Sequence, residues 1–262
     1  MDIRLKGKKA IVCGSTQGIG LAIAEHLASL GAEIVLIARN EEKLKKVLRD
    51  LPNGNQQQHE YICVDFQHPD ELERNLSQYL KRKPGIDILV NNTGGPPAGK
   101  AIDASPNDFL GAFKQHLICN QILVQAVVPG MKEKKFGRII NIISTSVKMP
   151  IPGLGVSNTI RGAVASWAKT LSMELGQFGI TVNNVLPGAT KTGRLDSIIE
   201  NKAKKTGQSI EDVQEDMVAE IPARHFGSPQ DLATAVAFLS SSSAAYINGI
   251  NLPVDGGRTG CI

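Results

Sequence analysis

The sequence has few cysteines, no long apolar run and no long run of like charge. Its four cysteines are Cys13, Cys63, Cys119 and Cys261; none forms a CxxC pair, and no histidine stands at metal-ligand spacing from them. This pattern argues against a disulfide scaffold or a zinc module and predicts reduced cysteines in a cytoplasmic protein. No stretch reaches the roughly 18 apolar residues of a membrane span, and the start of the chain is polar and basic. We therefore expect a soluble protein with no membrane partner and no metal.

Charge and composition indicate neither a nucleic-acid partner nor a domain boundary. The formal net charge is +4, and the basic residues form only short clusters near 6–9, 81–83 and 132–135. Such clusters are typical of solvated helix ends and turns rather than of a nucleic-acid surface. No proline-rich or glycine/serine-rich linker divides the chain, so we expect residues 1–262 to form a single domain.

Short runs rich in isoleucine and valine alternate with longer helical patterns along the chain. The runs lie at 10–13, 33–38, 61–64, 87–90, 138–143, 180–186 and 249–254. Each is typical of a strand that is buried on both faces of a sheet. The alternation predicts an α/β fold, a Rossmann-type doubly wound parallel sheet of about seven strands. Ligands of such folds bind at the carboxyl ends of the strands.

A glycine-rich turn follows the first predicted strand. Gly14, Gly18 and Gly20 form a G-x-x-x-G-x-G pattern before a predicted helix. Gly14 permits the turn, Gly18 lets the backbone approach a pyrophosphate, and Gly20 lets the helix pack closely on the sheet. The pattern predicts a dinucleotide site, with a ligand-free strand-to-helix turn as the alternative. Its candidate binding residues are Gly14, Ser15, Gln17, Gly18, Ile19 and Gly20.

Polar or small residues follow the other strands as well. Asp65 comes after the third strand, where a carboxylate can accept a hydrogen bond from an adenine amino group. Thr190 and Thr192 follow the sixth strand, where hydroxyls can meet a carboxamide. The other candidate cofactor contacts are Asn92, Gly94, Pro187 and Gly188. Ordinary turn chemistry could explain each one alone, but it does not explain their order along the chain.

Together these motifs resemble the short-chain dehydrogenase/reductase family, and most of all its 3-oxoacyl-acyl-carrier-protein reductase branch. The resemblance runs from about Leu5 to Gly257. It also includes the segments 91–94, 137–141, 183–188, 227–229 and 253–257. It implies hydride transfer between a nicotinamide cofactor and a carbonyl or alcohol, on a small-molecule or acyl-thioester substrate. The segment 189–226 is then expected to form a helical substrate lid.

The residue after the second strand indicates the choice of cofactor. In the family an acidic residue there binds the ribose 2′-hydroxyl and selects NAD. Here the strand is followed by Arg39, whose guanidinium can pair with a 2′-phosphate. We therefore expect NADP(H) rather than NAD(H), with a solvated loop arginine as the alternative.

The resemblance places four catalytic residues, and this chain matches one of them. Ser144 stands at the family serine. Ser157 stands where the family has tyrosine, Arg161 where it has lysine, and His116 where it has asparagine. Arg161 can still bond the ribose hydroxyls, but neither Ser157 nor Arg161 can replace a phenol as proton donor. The three tyrosines of the chain stand elsewhere, although Tyr79 forms a Y-x-x-x-K pattern with Lys83.

Two functions follow from this pattern. The first is an NADP(H)-dependent carbonyl reductase with an altered catalytic tetrad, in which the proton comes from His116 or from water held by Ser144 and Ser157. A histidine donor predicts a pH-dependent limb between about 5.5 and 7.5. The second is a catalytically impaired NADP(H)-binding sensor or assembly protein. Lys100, Lys148, Lys191 and Arg194 could contact an acidic carrier or a phosphate, but we favour ordinary surface positions for them.

The apolar content of two helical segments predicts a homotetramer or a homodimer. The resemblance implies that the helices at about 107–134 and 155–175 pair subunits. The apolar residues expected to contribute are Ile118, Ile122, Val124, Val127, Val164 and Trp167.

Overall fold

A computed structural model of the chain describes residues 2–54 and 56–261. Seven parallel strands form one sheet in the order β3-β2-β1-β4-β5-β6-β7. The strands are β1 Lys9–Cys13, β2 Glu33–Ala38, β3 Glu60–Cys63, β4 Ile88–Asn91, β5 Gly137–Ile142, β6 Ile180–Pro187 and β7 Asn251–Val254. The doubly wound Rossmann-type sheet predicted from the sequence is therefore confirmed.

The helices cover both faces of the sheet. They are α1 Gly18–Ser29, α2 Glu41–Asp50, α3 Pro69–Arg82, α4 Pro106–Phe113, α5 Cys119–Lys134, α6 Gly155–Leu175, α7 Gly193–Thr206, α8 Ile210–Ala219 and α9 Pro229–Ser240. The segment 107–134 contains the two expected helices, but a π-helical turn, Lys114–Ile118, joins them. The last strand begins two residues later than expected, because Gly249 forms a turn with φ +72°.

The two faces of the sheet form two apolar clusters. Alternate residues of β1 divide between them: Ala10 and Val12 pack with α1 and α9, whereas Ile11 and Cys13 pack with α3 and α5. Strands buried on both faces need apolar side chains at every position, which explains the continuous isoleucine and valine runs.

A row of asparagines crosses strands β4 to β7; Asn91, Asn141 and Asn184 are buried, and Asn251, the first residue of β7, is exposed. The amide of Asn91 donates to Asn141, Asn141 donates to Asn184, and Asn184 donates to Asn251, at 2.8, 2.9 and 2.8 Å. The four residues are direct neighbours in the registers of β4 to β7. A shift by one residue would turn these amides toward apolar side chains, so the row fixes the register of this half of the sheet.

The strand order reverses between β1 and β4, and this places the site. The chain leaves β1 toward β2 on one side and later returns to β4 on the other. The carboxyl ends of β1 and β4 therefore border a crevice, the usual place for a ligand in a doubly wound fold. Helices α7 and α8 form a separate apolar cluster beyond β6. Within the described residues, no helix is both long and apolar enough to cross a membrane.

Candidate active site

The glycine turn has the backbone geometry that close approach of a phosphate requires. Gly14 and Gly18 adopt φ values of +59° and +55°, which favour glycine. A Cβ on Gly20 would overlap the Gly14 carbonyl oxygen, so the start of α1 lies directly against the turn. Asn92 donates to the Cys13 carbonyl at 3.1 Å and thereby fixes the turn to the end of β4.

Not every residue of the turn is available to a ligand. Gln17 is exposed and precedes the first residue of α1. Ser15 is fully buried, and its hydroxyl has no hydrogen-bond partner in the described part of the chain. In this conformation none of the surface of Ser15 faces the crevice, and its contact with a cofactor stays a prediction.

The loop after β6 faces the glycine turn across the crevice. The methyl group of Thr192 lies 3.3 Å from the position of a Cβ on Gly18. Thr192 is half-buried, and its hydroxyl donates to the Thr190 carbonyl at 3.2 Å. Thr190 is buried and its hydroxyl donates to the Gly188 carbonyl, which shapes the loop; its contact with a carboxamide stays a prediction. A Cβ on Gly188 would lie 2.6 Å from Asp255 Cα, which explains the glycine after Pro187.

Two residues predicted to read the adenosine end of the cofactor lie together. Arg39 follows β2 and Asp65 follows β3, and their side chains form an ion pair at 3.7 Å. The Arg39 side chain is 70% exposed. An exposed pair of this length contributes about 0–1 kcal/mol, so the guanidinium can exchange the carboxylate for a phosphate at little cost.

The candidate catalytic residues lie at the ends of β4 and β5 and on α6. Ser144, half-buried just after β5, accepts a hydrogen bond from the Ser146 amide at 3.1 Å. Ser157 is buried in the first turn of α6. Arg161, one turn further, donates to the Ile142 carbonyl at 3.0 Å and to the Thr93 carbonyl at 3.5 Å. The arginine thus joins α6 to the ends of both strands.

No tyrosine substitutes for Ser157 within the described residues. Tyr79 and Lys83 both contact Glu60, the first residue of β3, at 3.1 and 3.3 Å. They therefore belong to the amino edge of the sheet, away from the crevice. Tyr61 donates to Glu41, and Tyr246 is exposed before β7.

His116 is buried in the π-helical turn and bonds Thr93. Its Nδ1 lies 2.5 Å from the Thr93 hydroxyl, and its Nε2 has no partner among the described residues. Burial, with a smaller effect from the charge of Arg161, lowers the pKa of His116 to about 3. With this pKa the imidazole is neutral between pH 5.5 and 7.5, which argues against His116 as the proton donor. The pH-dependent limb of the reaction stays a prediction.

Arg161 is a buried cation beside a second arginine. Burial, and then the charge of Arg194, lowers the pKa of Arg161 to about 10. Both guanidiniums border Gly95 in the loop after β4. Arg194 stands in the first turn of α7, 33 residues further along the chain. Linear spacing therefore gave no reason to join it to Arg161 or to Thr93.

Comparison with known proteins gives one matching family and several similar reductases. Residues 14–259 match the family described as enoyl-(acyl carrier protein) reductase. The 3-oxoacyl-[acyl-carrier-protein] reductase FabG of Rickettsia prowazekii is 34% identical over 255 residues, 97% of this chain and 98% of that protein. The NADPH-dependent reductase BacG of Bacillus subtilis is 29% identical over 251 residues, 95% of this chain and 97% of that protein.

The L-sorbose reductase of Gluconobacter frateurii, solved with NADPH and L-sorbose, is similar over the whole length of both chains. It superposes with a TM-score of 0.93 at 30% sequence identity. The strand order, the glycine turn and the family match agree. The chain belongs to the short-chain dehydrogenase/reductase family.

Proposed function

We propose that this protein is an NADP(H)-dependent reductase of carbonyl compounds with an altered set of catalytic residues. The observation that carries the proposal is the crevice at β1 and β4. There Gly14 and Gly18 take positive φ, Gly18 faces Thr192, and the exposed Arg39 side chain forms only a long ion pair with Asp65 that a phosphate can replace. The relatives support it, since BacG and the sorbose reductase are described with NADPH and FabG as a 3-oxoacyl reductase.

The residues of the crevice fit a dinucleotide. Backbone N–H groups at the start of α1 would hold the pyrophosphate, with the positive end of the helix dipole adding to the attraction. Arg39 would pair with the 2′-phosphate in a fork, and Asp65, released from Arg39, would accept from the adenine amino group. The nicotinamide supplies the hydride when the cofactor is bound.

The protein's own part in the reaction is to bind the carbonyl and deliver a proton. Ser144 stands at the end of β5, where its hydroxyl would donate to the carbonyl oxygen. Arg161 would hold the ribose hydroxyls, since two of its five N–H groups donate to carbonyls among the described residues and the others remain for ligands. His116 is buried and neutral, so its part would be to orient Thr93. Water held by Ser144 and Ser157 would then be the proton source.

The altered residues predict slow chemistry. A placed general acid contributes about 10²–10⁴-fold, and neither Ser157 nor Arg161 supplies one. We therefore expect NADPH to bind while generic ketones and 3-oxoacyl thioesters react slowly. The lack of a general acid at Ser157 and Arg161 also favours the alternative, an NADP(H)-binding sensor or assembly protein. That alternative predicts cofactor binding without turnover.

The segment 189–226 is proposed as the substrate lid. Two backbone hydrogen bonds join its ends. The Lys191 amide donates to the Gly227 carbonyl at 2.8 Å, and the Gly227 amide donates to the Ala189 carbonyl at 3.0 Å. Helices α7 and α8 share only a small apolar cluster, as expected of an element that moves over a pocket.

Calorimetric titration and stopped-flow oxidation of NADPH test the proposal together. NADPH should bind more tightly than NADH, and acetoacetyl coenzyme A should be reduced well below the usual enzyme rate of about 10 s⁻¹. Ser144→Ala should lower the residual rate, and Ser157→Tyr with Arg161→Lys should raise it. Failure to bind either cofactor would refute the function. Binding without turnover would favour the sensor, and a rate of about 10 s⁻¹ would show that the replacements do not matter.

A further inference from the structure

Two guanidinium groups converge on the loop after β4. The Nη2 atoms of Arg161 and Arg194 lie 3.8 and 3.7 Å from the position of a Cβ on Gly95. No other atom comes within 4 Å of that position, apart from the neighbouring residues of Gly95. Two cations therefore border one small space that the protein leaves empty.

Neither guanidinium has a carboxylate partner in residues 2–54 or 56–261. Arg161 is 8% exposed and uses backbone carbonyls alone, and its bond to Thr93 is long at 3.5 Å. Arg194 donates to the Pro96 carbonyl at 2.9 Å. Like charges so placed repel each other, and a buried cation without a counter-ion is unfavourable. An anion between the two groups would relieve both effects.

The space is open to a ligand. Gly95 and Arg194 are exposed, whereas Arg161 forms the buried wall. Thr93, which bonds Arg161 and His116, stands two residues before Gly95. The arginine pair therefore lies beside the candidate catalytic residues, and Arg194 brings the first turn of α7 to the same point.

We propose that Arg161 and Arg194 bind the carboxylate of the substrate, so that this protein reduces carbonyl compounds that carry a carboxylate group. The proposal rests on the proposed reductase function for the statement that the anion belongs to a substrate. A carboxylate presents two oxygens, and guanidinium forks match that geometry with charge-assisted hydrogen bonds. A cofactor phosphate is the other source of an anion, and the experiment separates the two.

The test compares acids with their methyl esters on the protein loaded with NADP⁺, which cannot deliver a hydride. Acetoacetate, 2-oxobutanoate and levulinate are each titrated beside the matching ester by calorimetry. At least one acid should bind about 10-fold more tightly than its ester, as removing one partner of a charge pair predicts. The Arg194→Met variant should bring that ratio close to one and keep NADPH affinity within about threefold of the starting protein.

Lys204→Met is the matched control, because it removes one positive charge from the exposed part of the same helix. It should preserve the ratio of acid to ester. Equal binding of every acid and its ester, or an unchanged ratio in Arg194→Met, would overturn the proposal. So would an Arg194→Met variant that loses NADPH affinity about 10-fold while keeping the acid preference, since the anion would then be a cofactor phosphate. Loss of all cofactor binding would instead refute the proposed function, and the same titrations on free protein would still decide this site.

Discussion

Replacing Gly20 by alanine should damage both the fold and the cofactor site. The added methyl group would overlap the Gly14 carbonyl oxygen and would lie 2.6 Å from Asn92 Nδ2. Overpacking of this kind costs about 1–3 kcal/mol, and alanine regains at most about 1 kcal/mol as the better helix former. Because the overlap is with a backbone atom, the cost lies in the upper half of that range, at about 2–3 kcal/mol. Less about 1 kcal/mol for helix propensity, we expect a net loss of about 1–2 kcal/mol in the free energy of unfolding.

The same change should weaken NADPH binding at least about 10-fold, equivalent to about 1.4 kcal/mol, because relief of the overlap displaces the turn. Urea unfolding measures the first quantity and calorimetric titration the second. Gly111→Ala in α4 is the control: a Cβ there meets no atom within 4 Å, so stability should rise by up to about 1 kcal/mol. A Gly20→Ala protein as stable as the original, with NADPH affinity within about twofold, would refute the reasoning.

Three further predictions use other parts of the molecule. Arg39→Asp should narrow or reverse the preference for NADPH over NADH in titrations, and an unchanged preference would show that Arg39 does not read the 2′-phosphate. Folding lowers the pKa of His116 from 6.5 to about 3. As the pH decreases, the unfolded chain therefore takes up a proton before the folded protein does, and the free energy of unfolding decreases. Between pH 7.5 and 5 the free energy of unfolding should decrease by about 2 kcal/mol because of this group. Urea titrations of His116→Gln should lack this decrease, and the same pH dependence in the variant and the starting protein would contradict the burial of His116. Light scattering should give the mass of a dimer or tetramer. The Leu110 side chain is 56% exposed on α4, and Leu110→Asp should shift the mass toward that of the monomer. A monomeric starting protein would refute the expected oligomer.

The residues expected at subunit contacts need revision. Val124, Val127 and Val164 pack inside the protomer, so they cannot carry an interface. Their helical spacing identified an apolar stripe but not which side of the helix the sheet covers. Ile102, Leu110, Phe113 and Met173 are among the exposed apolar side chains, and we propose these four for the contacts.

Local pattern predicted the strands and the glycine turn because each depends on near neighbours in sequence. The run of β2 was predicted with its observed bounds, Glu33–Ala38, since the unbroken apolar run after Glu33 is what a strand buried on both faces requires. Gly14 and Gly18 could be assigned since only glycine readily takes their backbone angles.

The candidate site was harder because its contacts join distant segments. Helical spacing gave no sign of the π turn that carries His116, and a normal histidine pKa was assumed because burial cannot be read from one residue. Ser15 was a candidate cofactor contact because it lies in the glycine turn, and position in a turn does not reveal that the residue is buried. Arg194 approaches Arg161 only because α7 folds back over the loop after β4, a long-range packing choice that local sequence does not encode.

The asparagine row has a consequence for synthesis on the ribosome. Strands β4, β5 and β6 emerge before β7, yet the amide of Asn184 finds its acceptor only in Asn251. Until β7 joins, the amide of Asn184 lies at the open edge of β6, where water can accept its hydrogen bond. The pairing of β7 with β6 then covers this edge and replaces water with the Asn251 side chain as the acceptor.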